Sequence, residues 1–101
     1  MNRLDHLQSL LKESPEAPFL IYGIALEYRV LDISKALEYF TLLLEKYPDY
    51  LPTYYQAGQL YEDIDEDKAL SIYAKGMELA KEQKNMHTYG ELKSVFELLD
   101  M

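Results

Sequence analysis

The chain has 101 residues, with ten basic side chains against eighteen acidic ones and a net charge of −8. That length suits one domain around a single core, and the acidic excess argues against nucleic acid and anionic membrane surfaces as partners. With no cysteine there is no disulfide framework, thiol nucleophile or cysteine-based zinc site, so a reducing cytoplasm is the expected location.

Residues 1–16, MNRLDHLQSLLKESPE, lack the apolar run of a signal peptide, and no stretch is long and apolar enough to span a membrane. Apolar residues recur at helical spacing almost throughout. The first expected helix, 2–13, carries Leu4, Leu7, Leu10 and Leu11 and stops at SPEAP, 14–18. The second, 18–31, ends at Asp32; the third, 33–46, carries Ala36, Leu37, Phe40, Leu43 and Leu44 and ends at YPDYLP, 47–52. The fourth, 52–63, and fifth, 66–83, are separated by DIDED, 63–67, and the run QKN, 83–85, precedes the sixth, 86–99. Connections this short make neighbours antiparallel, so the expected fold class is all-α, an antiparallel helical-hairpin solenoid of about six helices.

An internal repeat supports this. An offset of 33 residues matches Pro15 with Pro48, Tyr22 with Tyr55, Ala25 with Gly58, Tyr28 with Tyr61, Asp32 with Asp65, Ala36 with Ala69 and Phe40 with Tyr73. A small residue three before a tyrosine, then an alanine and an aromatic on the next helix, is the mark of stacked hairpins.

These residues resemble the tetratricopeptide repeat (TPR) family, whose pattern is W-x2-L-G-x2-Y, then A-x3-F, then P. Tyr54, Ala57, Gly58 and Tyr61, followed by Ala69, Tyr73 and Gly76, match it in one unit; Ile21, Ile24, Ala25 and Tyr28, followed by Ala36, Phe40, Leu43 and Pro48, match it in the other. Both units lack one residue where the family's turn glycine stands, which implies a tighter turn capped by Asp32 and Asp65. The resemblance implies a single domain over 1–101: a half-repeat helix at 1–15, repeats at 18–48 and 51–83, and a closing helix at 86–100, as in short stand-alone bacterial TPR proteins. Lys93 replaces the small residue in the last helix, which is why that helix is read as a closing one.

No catalytic constellation is visible, so the chain is not expected to be an enzyme, and no cofactor or metal is implied. Asp63, Asp65 and Asp67 alternate like the start of a calcium loop, but Lys68 stands where its glycine belongs and Ala74 where its glutamate belongs. Acids capping a helix N-terminus explain them better. His6 and His87 lack ligand spacing and read as surface residues.

The resemblance points instead to a peptide or partner protein in the concave groove of the array, lined by Tyr22, Leu26, Arg29, Tyr55, Gln59 and Glu62. The competing reading is that Tyr22 and Tyr55 cover gaps between helices. Arg29 alone cannot reproduce the basic clamp of TPR modules that grip acidic tails, so a neutral or basic segment with an apolar anchor is expected. The alternative function is a homodimer through the terminal helices, around Leu4, Leu7 and Leu11 or Val95, Leu98 and Leu99. Of the five tyrosines between 47 and 61, Tyr54 and Tyr61 are expected in the core and Tyr47 and Tyr50 at the turn, leaving Tyr55 for the groove.

Overall fold

The computed structural model describes residues 2–101. Its helices are α1 (Arg3–Glu13), α2 (Pro18–Leu31), α3 (Ile33–Lys46), α4 (Pro52–Tyr61), α5 (Glu66–Glu82) and α6 (Met86–Leu99), with no strand among the described residues. The expected boundaries agree to within about two residues. The chain divides into two compact units, one ending at Tyr50 and the other starting at Leu51.

In the first unit, α1 packs on α2 and α2 on α3. Asn2 caps α1, its Oδ1 accepting from the Asp5 amide at 2.8 Å. Leu7, Ala17, Leu20 and Ile24 form one buried cluster, against which Leu4, Leu10, Leu11, Tyr28 and Tyr39 pack. Leu7 is buried in this cluster and Leu4 and Leu11 are half-buried against it, so the apolar side of α1 packs on its own unit. Phe40, Leu43, Ala36 and Ala25 are wholly buried. The Tyr28 and Tyr39 rings stack at 5.7 Å, and Gln8 Nε2 donates to the Tyr28 hydroxyl at 3.2 Å.

Asp32 is the entire connection between α2 and α3. Its amide donates to the Tyr28 carbonyl at 2.7 Å, closing one helix, while its Oδ1 accepts from the Lys35 amide at 3.3 Å, opening the next. Asp65 does the same in the second unit, to Tyr61 at 2.8 Å and from Lys68 at 3.1 Å. One residue thus serves both helix ends, which explains how the turn dispenses with a glycine. Asp32→Ala is expected to cost about 0.5–2 kcal/mol in urea unfolding, the range of a lost N-cap, with Asp32→Asn recovering most of it.

In the second unit, α4 packs on α5, α5 on α6, and α4 also meets α6. Helix α4 ends two residues before the expected 63, because Glu62 N bonds Gln59 O and Ile64 N bonds Tyr61 O, tightening the last turn to three-residue spacing. Helix α5 ends in a Schellman motif. Asn85 N donates to Ala80 O, Lys84 N donates to Lys81 O, and Lys84 takes the left-handed φ of 59° in the position that usually favours glycine. Asn85 then caps α6 through the Thr88 amide at 3.1 Å.

The close approach of these helices needs two glycines. A Cβ on Gly58 would lie 2.6 Å from Tyr73 Cδ1 and closer still to Cε1; one on Gly76 would lie 2.6 Å from Tyr54 Cβ and 3.0 Å from Leu92 Cδ1. Tyr73 and Leu92 are wholly buried, and Tyr54 and Tyr61 are buried as the sequence implies. The Lys68 ammonium lies 4.6 Å from the Tyr61 ring centre, where the face of the ring attracts a cation.

Candidate functional site

The six residues assigned to a groove from the sequence fall in two sets. Tyr22, Leu26 and Arg29 lie on α2 in the first unit; Tyr55 and Gln59 lie on α4, with Glu62 just beyond its end, in the second. All six are half-buried, as expected of a stripe at spacings of four and three residues along one helix side.

Tyr22 stands edge-on to Phe40 at 6.3 Å and to Tyr50 at 5.7 Å. These geometries are those of packed rings, so Tyr22 packs on the aromatic side of its own unit. Burial pushes the Tyr50 hydroxyl above its ordinary pKa.

Gln59 and Glu62 are brought together with Val95, Leu98 and Leu99 of α6 around an open groove of about 290 Å3. Helices α4 and α6 flank α5, and the side chains on their facing sides leave this trough. The α6 residues recur at three and four positions, forming one ridge. Leu98 is 70% exposed, whereas Val95 and Leu99 are half-buried. Sequence reasoning assigned these three to a dimer surface and did not place them beside Gln59 and Glu62.

Glu62 has a second connection. The Tyr73 hydroxyl, on a ring sealed in the core, donates to Glu62 Oε2 at 2.5 Å. Desolvation, then this hydrogen bond, the Glu62 charge and nearby Tyr55 all push the Tyr73 phenol well above the ordinary tyrosine range, so it remains the donor. The signal for this pair is present in the repeat. At the offset of 33, Tyr73 and Glu62 stand where the first unit has Phe40 and Arg29. A phenylalanine needs no acceptor, and an arginine offers none; the acceptor occurs only in the unit that has the hydroxyl.

The acids before α5 act as helix-end groups: Asp65 is the cap, and Glu66 and Asp67 occupy the first turn. His6 and His87 are exposed. Another depression, in the first unit, is lined by Asp5, Gln8, Ser9, Leu11, Lys12 and Tyr39. Its charges have both signs, and polar and apolar surface line it about equally.

No family model and no curated protein matches the chain. Solved structures do. The solution structure of a tetratricopeptide repeat domain protein from Salinibacter ruber is 40% identical over 84% of this chain and 88% of that one, with a TM-score of 0.79. The chain belongs to the tetratricopeptide repeat family. A crystal structure of the Salinibacter ruber TPR domain protein agrees, with 38% identity, 83% of this chain and 97% of that one covered, and a TM-score of 0.78. A protein from Bordetella parapertussis shares the TPR-like fold at 17% identity, with a TM-score of 0.82 over 99% of this chain and 89% of that one. TPR modules are helical repeats generally used for protein–protein interaction, which directs attention to surfaces rather than to reacting groups. No helix among the described residues is long and apolar enough to cross a membrane.

Proposed function

We propose that the chain is a protein-interaction module whose 18–48 and 51–83 hairpins act as TPR repeats and whose second unit receives a peptide segment of a partner protein between α4 and α6. The observation that carries this reading is the groove of Gln59, Glu62, Val95, Leu98 and Leu99, in which an amide and a carboxylate stand beside an open apolar ridge. An apolar floor supplies affinity, and a few polar groups set orientation. Tyr55 extends the same side of α4, while Leu26 and Arg29 provide the corresponding positions of the first repeat. A neutral or basic segment with an apolar anchor suits it. The acidic, cysteine-free chain fits a reducing cytoplasm.

Panning random peptides against the purified protein tests this. Enriched peptides are expected to combine apolar with neutral or basic residues and to lose at least tenfold in affinity to Leu98→Asp, because a carboxylate in the ridge forfeits the apolar contact. Enrichment of acidic peptides, or binding indifferent to Leu98→Asp, would count against the reading. A homodimer through this face is disfavoured by charge: two copies each at −8 would meet across a surface that contains Glu62.

A further inference from the structure

We propose that Glu62, held in place by the Tyr73 phenol, selects a cationic side chain, so that the α4–α6 groove takes a segment presenting one arginine or lysine beside an apolar residue. This rests on the groove reading above and adds the chemistry of the occupant.

Among the described residues lining the groove Glu62 is the charged one, and Gln59, Val95, Leu98 and Leu99 are neutral. An exposed glutamate must give up rotamer freedom to hold a partner, which is why surface ion pairs contribute little. Glu62 has already given up much of it, since Oε2 is tied to a hydroxyl on a ring that cannot move while it fills the Gly58 notch. A carboxylate offers about four acceptor positions. The phenol takes one and leaves the others to a ligand. The apolar ridge lowers the local dielectric and receives the methylene stem of a lysine or arginine, so its charged end can reach the carboxylate.

The charge around the groove points the same way. From Leu51 onward there are ten acidic residues against five lysines, a net −5, and on α6 itself Lys93 is paired with Glu97 at 3.8 Å. The field therefore attracts a cationic segment and repels an acidic one. In the first unit Arg29 takes the position of Glu62 and Phe40 that of Tyr73, so the cation-selecting device belongs to the second unit alone. Tyr73, which acts through Glu62, is a positioning residue.

The test is a titration followed by amide NMR with four capped octapeptides, identical except for a central arginine, lysine, citrulline or norleucine flanked by two leucines. Shifts at Gln59, Val95, Leu98 and Leu99 are expected, with the arginine peptide binding at least fivefold tighter than the citrulline peptide. Glu62→Gln keeps an acceptor for the Tyr73 hydroxyl but removes the charge, and it should bring that ratio close to one. Tyr73→Phe keeps the ring and frees the carboxylate, and it should reduce the ratio while leaving citrulline binding unchanged. A role confined to core packing would leave the ratio untouched in both variants and overturns the proposal. Equal binding of all four peptides overturns it while the groove reading stands; no shift with any of them overturns both.

Discussion

Tyr73→Ala is expected to cost the second unit about 3–5 kcal/mol, the range for removing a buried aromatic side chain. The ring is wholly buried, and its edge lies against Gly58 so closely that no side chain fits there. Truncation leaves a void bounded by the helix backbone at Gly58, and two packed helices cannot collapse into it without shifting along their whole contact. Tyr73→Phe isolates the hydroxyl from the ring. Glu62 is half-buried, so water can replace the lost donor, and a cost of about 1 kcal/mol is expected. Urea unfolding followed by circular dichroism measures both. A loss below about 2 kcal/mol for Tyr73→Ala would show that the site relaxes, contrary to the geometry at Gly58.

The helices were legible because their signals are local. Proline and short polar runs mark the breaks, and Asp32 and Asp65 announce caps by residue type alone. The repeat offset of 33 pairs residues with the same role, so Tyr54 and Tyr61 could be placed in the core without a structure. What stayed hidden depends on contacts between elements distant in sequence. The Leu4, Leu7, Leu11 stripe shows that α1 is amphipathic but not which neighbour covers it; the answer lies in Ala17, Leu20 and Ile24. Likewise, the stripe of Val95, Leu98 and Leu99 is plain, whereas its meeting with Gln59 and Glu62 follows only from how α6 lies on α5.

The candidate site shows the same division. Helical spacing put Tyr22 and Tyr55 at corresponding positions, and the repeat treats them as equivalent. The side chains around Tyr22 do not: Phe40 and Tyr50 hold it edge-on, in the manner of a core ring. Glu62 entered as one charge in a stripe and emerged as the acceptor for a core hydroxyl. The clue was a mismatch between repeats, since Arg29 and Phe40 change together into Glu62 and Tyr73. A repeat makes each unit a control for the other, and differences at paired positions carry information that the shared pattern cannot.

Gly58→Ala follows from that comparison and is expected to destabilise the second unit by about 1–3 kcal/mol, the range for overpacking a well-filled core. In an exposed helix the same change would be favourable by about 1 kcal/mol, so a loss requires a specific clash. That clash is with Tyr73, whose Cδ1 and Cε1 would lie within 2.6 Å of the new methyl. The ring cannot retreat freely, because its hydroxyl is tied to Glu62. The first unit carries Ala25 at the position that matches Gly58 and Phe40 at the one that matches Tyr73, a ring with no hydroxyl to tether. In the Tyr73→Ala background the clash is gone and helix propensity decides, so Gly58→Ala should become neutral or stabilising by up to about 1 kcal/mol. The double-mutant cycle should therefore show a coupling of roughly 1–4 kcal/mol, the loss in one background less the change in the other. Equal losses in both backgrounds would place the clash on the helix backbone instead, and the tether between Tyr73 and Glu62 would not be what makes glycine necessary.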